Sequence, residues 1–288
     1  MAKVDYKELK KNGFIPQAQK DNFSLRVNIV GGHIKADQLL KVSEVAKKYG
    51  KDYVHMTSRQ SIEIPFIKLE DIEAVKAELA KAGLEPSACG AAVRTITACH
   101  GDSICSNGLM DSTALAYEFD SKYHGKQLPH KFKIGITACP NNCLKAEEND
   151  LGVKGAMKPE WEEGSCTFCG LCSKVCRRKA ITVDRNKKKF VYEQSNCNNC
   201  GRCVKGCPTK ALKGTKGFIV YFGGLFGNRI ATAKQLLPIV FSTEELFKIV
   251  DITLKFYEKH AKQGERFRNT VDRVGWDLLE KEFENIRS

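Results

Sequence analysis

Apolar and polar positions sort the chain into short α/β units. SLRVNIV, residues 24–30, alternates as a strand does; Gly31 and Gly32 turn it, and about 36–49 carries Leu39, Val42, Val45, Ala46 and Tyr49 at helical spacing with Gly50 as the stop. YVHM and SIEIPF return to the strand period, and 69–82 reads as a second amphipathic helix closed by Gly83. From Cys89 to Gly108 the chain is rich in small residues and glycine, as expected where backbone passes close to a large ligand. A helix follows over 111–119, then KFKIGIT as a strand, and CPNNCLKAEE opens another helix. GFIVYFGGLFGNR predicts a strand, a glycine turn and a helix, and 243–288 reads as helical throughout, with Leu246, Ile249, Val250, Ile252, Leu254 and Phe256 apolar. The pattern predicts an α+β chain divided as 1–85, then 86–158 with 214–288, and an insertion over 159–213.

The insertion repeats itself, CTFCGLCSKVC against CNNCGRCVKGC. Cys166, Cys169, Cys172 and Cys176 read CxxCxxCxxxC, and Cys197, Cys200, Cys203 and Cys207 repeat the spacing with Pro208 after the last. That is the two-cluster bacterial ferredoxin run, in which three thiolates hold one [4Fe-4S] cluster and the fourth reaches across to the other. The pairing is then Cys166, Cys169, Cys172 with Cys207, and Cys176 with Cys197, Cys200, Cys203. Arg177 stands where the first run would have its proline. Two zinc knuckles would need a core between them, and four cysteines within eleven residues leave no room for one.

A third set is rarer: Cys99 and Cys105 stand six apart, and Cys139 and Cys143 four apart in CPNNC, and taken alone these four would also suit a structural metal. Disulfides are the competing use of 13 cysteines. The opening MAKVDYKELKKNG has no apolar signal core, and 288 residues suffice to bury a core without staples. No apolar run approaches the roughly 20 residues of a membrane span. The expectation is a reduced, cytoplasmic protein outside the membrane. GGLFG fails as a dinucleotide fingerprint because the spacing is not GxGxxG, but a glycine turn at a helix N-terminus would suit an anion, such as a cofactor carboxylate near Gly223, Gly224 and Arg229.

These motifs carry a family resemblance. CHGDSIC and CPNNC resemble the CxxxxxC and CxxxC of siroheme-dependent sulfite and nitrite reductases; LPHKFKIGI resembles their substrate-lysine strand, and SLRVNIVGG and TSRQS their two N-terminal arginine motifs. With a ferredoxin insert and one copy of the repeat, the chain looks closest to anaerobic, dissimilatory-type sulfite reductase catalytic subunits. The resemblance implies a sulfite reductase hemoprotein-like repeat: a ferredoxin-like N-terminal unit, then a siroheme and [4Fe-4S] domain. It implies a siroheme and three clusters, with Cys99, Cys105, Cys139 and Cys143 on the third cluster and Cys143 bridging to the siroheme iron. Arg26, Arg94, Lys131 and Lys133 would face the oxyanion, while Arg59 and Asn141 would contact the cofactor. The position two after Arg26, basic in assimilatory members, is Asn28 here, which leaves open which of the two faces the substrate.

The implied reaction is six-electron reduction of sulfite to sulfide, with nitrite reduction to ammonia as the alternative and a non-catalytic electron carrier as a third. Arginines grip an oxyanion bidentately, and lysines supply charge and protons. The same cofactors change the meaning of the +13 formal charge, which otherwise raises the question of nucleic acid. Three clusters bring roughly six negative charges and a tetrapyrrole with eight carboxylates roughly eight more, so the balance falls near zero. Electrons must come from a ferredoxin or from NAD(P)H/flavin subunits. A single repeat suggests a homodimer or higher.

Other residues read blandly. His33, His55, His100, His124, His130 and His260 lack metal spacing, although His100 adjoins Cys99. Cys89 reads as a small buried apolar residue. Arg177, Arg178, Lys179, Arg185, Lys187, Lys188 and Lys189 form either a solvated face or a docking patch for an acidic donor.

Overall fold

The computed structural model describes residues 4–284. The first unit runs α1 (Tyr6–Lys11), β1 (Phe14–Pro16), β2 (Asn22–Val27), α2 (Ala36–Tyr49), β3 (His55–Met56), β4 (Ile62–Lys68) and α3 (Ile72–Ala80). Its strands stand in the order β1-β2-β4-β3, all antiparallel. Phe23, Leu25 and Val27 of β2 meet Val42, Val45 and Ala46 of α2 and Val75 and Leu79 of α3 in one core. The alternation that buries them places Arg26 on the opposite face of β2.

The second unit begins β5 (Thr97–Ala98), α4 (Ser112–Tyr123), β6 (Ile134–Thr137) and β7 (Leu151–Trp161). Asp111 starts α4 by accepting the N–H groups of Thr113 and Ala114 at 3.0 and 2.9 Å. Then come α5 (Leu171–Val175), β8 (Ile181–Asp184), β9 (Lys189–Tyr192), α6 (Arg202–Lys205), β10 (Leu212–Phe222), β11 (Lys234–Gln235), α7 (Thr243–His260), α8 (Phe267–Val274) and α9 (Trp276–Lys281). The sheet order is β11-β10-β7-β6-β5, parallel across β5, β6 and β7 and antiparallel elsewhere. α4, α7 and α8 cover it through a core that includes Phe119, Phe132, Leu246, Tyr257 and Phe267.

β7 and β10 pair over their whole length, from Leu151 opposite Phe222 to Trp161 opposite Leu212. Residues 162–211 hang from the far end of that ladder. They form their own β8–β9 sheet, and their Cys172, Ile181 and Cys203 make a small core with Leu212 of β10, walled by Trp161 stacked on Phe190 with ring centroids 4.5 Å apart.

Three expected helices are corrected. CPNNCLKAEE opens no α-helix, only a 3-10 turn over Ala146–Glu148: Asn142 and Lys145 are left-handed, and the Asn142 side chain accepts the Ala146 N–H at 2.9 Å, an alternative to the helical ladder. No helix follows Gly224 either. The chain runs irregularly to β11, joined only by a Leu225–Ala231 bridge, because three glycines within five residues oppose helix formation. The C-terminal helix is broken twice, by a turn with Gly264 at φ +82° and by Gly275 at φ +105°. The 285–288 end of that expected helix lies outside the described residues.

Candidate functional site

The turn at 57–61 and the extended stretch 87–95 enclose a cavity of about 120 Å³ lined by Arg26, Arg59 and Arg94 together with Ser61, Ser87 and Thr95. Arg26 Nε donates to Glu63 at 2.9 Å and its Nη1 to Cys89 Sγ at 3.6 Å. Cys89 is buried as expected, yet its sulfur sits against a guanidinium. Asn28 is spent elsewhere, donating to Asp120 at 3.0 Å and accepting from Thr95 at 2.7 Å. Arg59 donates to Asn149 Oδ1 at 3.0 Å and to the Thr95 carbonyl at 3.1 Å. Arg94 Nε is buried without a hydrogen-bond partner.

Lys131 and Lys133 flank Phe132, which is wholly buried, so extended backbone sends both to the other side. The Phe132 carbonyl accepts the Arg94 N–H at 2.9 Å, which holds Arg94 beside them. Asp150, fully buried, accepts the Lys133 N–H at 2.9 Å and Arg266 Nη2 at 3.0 and 2.9 Å. Sequence reasoning missed both Asp150 and Arg266. Arg59, Lys131, Lys133 and Arg266 thus share one internal carboxylate. Burial, then Arg59 and Arg266, pushes Lys133 down to about 8. Burial and Arg266 lower Lys131 and His130, and burial lowers Arg94 and takes Arg59 down to about 10. Burial raises Asp150 against the pull of Arg266. The arrangement is a desolvated excess of positive charge, suited to an anion and able to release a proton.

A second cavity, about 460 Å³, lies past the carboxyl ends of β5 and β6 and is lined by Cys99, Cys105, Cys139 and Cys143 with Gln60, His100 and Asn141. Gln60 is bonded to both polar groups of the Ala98 backbone, at 2.8 and 2.9 Å. The 57–61 turn therefore sends Arg59 into one cavity and Gln60 to the other. The Ala138 N–H donates to Cys99 Sγ at 3.1 Å, and the Asn141 N–H donates to the Cys139 sulfur. Burial raises the Cys139 thiol, and crowding by Cys99, Cys105 and Cys143 adds to it.

In the 162–211 segment one pocket is lined by Cys166, Cys169, Cys172 and Cys207, the other by Cys176, Cys197, Cys200 and Cys203. The backbone repeats with the sequence: left-handed Phe168, Gly170 and Lys179 are matched by Asn199, Gly201 and Lys210. The Phe168 and Asn199 N–H groups donate to Cys166 and Cys197 sulfurs at 3.4 and 3.3 Å. Burial, with Cys197, Cys200 and Cys176 crowding it, pushes the Cys203 thiol up to about 12. With Zn–S near 2.3 Å, four sulfurs on one ion lie within about 4 Å of each other. Among the described residues no three Cys, His, Asp or Glu side chains gather to hold an ion in that way. Four thiols lining each pocket, with N–H groups aimed at their sulfurs, are a donor set of the kind iron-sulfur clusters take.

Other expected residues lie apart. Arg229 is exposed, donating to Asn269 at 3.2 Å and pairing with Asp272 at 3.7 Å, and lines neither cavity. Gly223 turns at φ +76° beneath Trp276, and a Cβ on Gly224 would lie 2.4 Å from the Glu147 and Asn149 carbonyls. The two glycines pack loops together, and the absent helix removes the anion site expected there.

Comparison with known proteins follows the same division. The nitrite and sulphite reductase 4Fe-4S domain matches residues 89–287, and the nitrite/sulfite reductase ferredoxin-like half domain matches residues 15–82. A coenzyme F420-dependent sulfite reductase of Methanocaldococcus jannaschii is 35% identical over 258 residues, covering 89% of this chain and 41% of that protein. An anaerobic sulfite reductase subunit of Salmonella typhimurium is 32% identical over 171 residues, 54% of this chain and 50% of that one. The chain therefore spans half or less of these relatives. The crystal structure of dissimilatory sulfite reductase I shares the fold, with a TM-score of 0.73 at 19% identity over 91% of this chain and 68% of that chain. With its ferredoxin-like half domain followed by the 4Fe-4S domain, this chain belongs to the nitrite and sulphite reductase family.

Proposed function

We propose that this chain carries a siroheme and three [4Fe-4S] clusters and reduces sulfite to sulfide, with electrons arriving through the 162–211 segment. The observation that carries the reading is the gathering of Arg26, Arg59, Arg94, Lys131, Lys133 and Arg266, of which Arg59, Lys131, Lys133 and Arg266 answer to one buried carboxylate, Asp150, and Arg26 to Glu63. A pure electron carrier has no use for such a pocket. Cys99, Cys105, Cys139 and Cys143 would hold the cluster beside the siroheme, and Arg59, already desolvated, suits a siroheme carboxylate. Siroheme, when bound, supplies the iron at which the substrate is reduced.

The chain's own residues do the rest. Arg94, with an unbonded Nε, and Arg26, on the edge that Glu63 leaves free, bind the oxyanion's oxygens. Lys133 Nζ is mostly protonated at neutral pH yet gives its proton up readily, which suits protonation of a departing oxygen. Lys131 adds charge where negative charge develops. Asp150 holds Lys133 by its backbone N–H and keeps Arg266 in place. Nitrite is the second reading, because the matched domains are named for both substrates.

The test is anaerobic purification of the holoprotein, metal analysis and a visible spectrum, then turnover of sulfite and nitrite with a reduced dye. About twelve cluster irons plus one siroheme iron per chain are expected. Zinc in place of iron, or no tetrapyrrole absorption, overturns the reading.

A further inference from the structure

The two cysteine pockets of the 162–211 segment are not equivalent in position. Met157 of β7 lines the pocket of Cys176, Cys197, Cys200 and Cys203, and its N–H donates to the Asn199 carbonyl at 2.8 Å. The same Met157 packs with Cys139 and Leu109 beside the larger cysteine cavity. Lys205 Nζ ties α6 to the Ser106 carbonyl, next to Cys105, at 3.0 Å. This pocket is the inner one. The β8–β9 hairpin then measures the way outward: the Ile181–Tyr192 pair lines the inner pocket and the Val183–Phe190 pair lines that of Cys166, Cys169, Cys172 and Cys207. The tip beyond Val183 and Phe190 projects past the outer pocket.

That tip is basic and open. Arg185, Lys187, Lys188 and Lys189 are all exposed, as is Lys210 near Cys207. Arg185 donates to the Cys169 carbonyl, which brings the charge to the outer pocket's rim. The tip's own acid, Asp184, accepts the Asn186 and Lys187 N–H groups at 3.0 Å and so caps the turn. Among the described residues Glu162 pairs with Lys213 at 2.9 Å, and no ion pair involves Arg185, Lys187, Lys188, Lys189 or Lys210. Four cations within five residues lie inside one Debye length of each other and act as a single patch. A patch of one sign beside a redox site raises the encounter rate with a partner of the other sign.

We infer that the β8–β9 tip and the adjoining rim at Lys210 are the docking surface for a separate acidic iron-sulfur protein of the ferredoxin type. In each encounter the donor's reduced centre loses one electron and the cluster on Cys166, Cys169, Cys172 and Cys207 gains one. No bond or proton is exchanged. The inference rests on the cluster assignments proposed above and names the partner.

The probe is an acidic bacterial ferredoxin, mixed with the anaerobic holoprotein. Binding is measured by calorimetry over a salt series, and reduction by stopped-flow bleaching of the cluster absorbance, neither of which involves sulfite. The tip variant is Lys187→Glu, Lys188→Glu, Lys189→Glu; the control is Lys248→Glu, Lys255→Glu, Lys259→Glu on α7, equally exposed. The tip variant should weaken binding at least tenfold at low salt, flatten the salt dependence and slow ferredoxin reduction by a similar factor. Bleaching by a small reduced dye should stay within twofold of wild type, and the control should bind within twofold. Equal weakening in tip and control, or none in the tip, means the face is merely solvated and overturns the proposal. If the tip variant loses iron, the Gln triple replaces it under the same criteria. A holoprotein with fewer clusters by metal analysis refutes the cluster assignment instead, so the two failures are separable.

Discussion

Lys133 should set the alkaline limit of turnover. Burial together with Arg59 and Arg266 takes it to about 8 from an ordinary 10.5. About nine in ten copies are then protonated at pH 7 and about one in ten at pH 9. If the protonated amine serves the substrate, kcat/KM, which reports the free enzyme, falls about tenfold per pH unit above 8. Stability moves the other way. With the folded value depressed, the unfolded chain binds more protons between about 8 and 10.5, so a penalty present below that window is relieved as pH rises through it. Falling activity without unfolding therefore marks a titration. The assay is dye-driven turnover from about pH 6 to about 9.5, with nitrite as comparator because it stays ionised throughout. Lys133→Arg keeps its charge across the range, so its limb should vanish while kcat drops about a hundredfold for want of a proton donor. A wild-type profile flat to the top of the range, or a limb near 8 surviving in Lys133→Arg, would refute the assignment.

Three further outcomes follow from the geometry. Asp150→Asn leaves Arg266 without its carboxylate and should cost about 3–5 kcal/mol in urea melts; because Asp150 raises Lys133, it should also move the alkaline limb below 8, and an unmoved limb would show that the carboxylate does not tune the lysine. Gly224→Ala drives a Cβ to 2.4 Å from the Glu147 and Asn149 carbonyls, whereas a Cβ on Gly227 meets nothing within 4 Å. The first should lose about 1–3 kcal/mol and the second almost nothing, and equal melts would mean the loops yield freely. Mixing Lys131→Ala, Lys133→Ala chains with Cys143→Ser chains, each inactive alone, should restore about half of the activity per mixed pair if sites are shared between two copies; no recovery, or a monomer in solution, removes that idea.

Where local pattern and tertiary structure agree, the chain is legible. The 36–49 helix was readable because Val42, Val45 and Ala46 fall on one face and Gly50 stops it. The strand β7 was not, because LGVKGAMKPEW lacks alternation. Its glycines answer to neighbours far along the chain: a Cβ on Gly155 would meet the Ala138 carbonyl at 2.2 Å, and one on Gly152 the Ala146 carbonyl at 2.1 Å. The three cysteine sets were readable from their spacing, and each set lines one pocket. Asp150 had only a faint signal, a charge abutting the apolar start of a strand, and Arg266 had none, since its partner lies 116 positions away. Basic residues are plentiful enough that nothing marked this one as half of a buried pair.

The two cavities divide the strands between them. Arg94 and Lys133 precede β5 and β6, while Cys99 and Cys139 follow them, so the cationic pocket stands at the amino ends and the cysteine pocket at the carboxyl ends of the same two strands. They share no lining residue, and Gln60, fixed to both polar groups of Ala98, stands between them. On the function proposed above, an oxyanion held by Arg94 and Lys133 would have to reach a siroheme iron beside the cysteine pocket. If two copies pair about a two-fold, the cationic pocket of one chain can face the cysteine pocket of the other, twice over. That arrangement is the one we propose. It gives the exposed Met56 and Ile104, one lining the cysteine cavity and the other beside Cys105, a surface to cover.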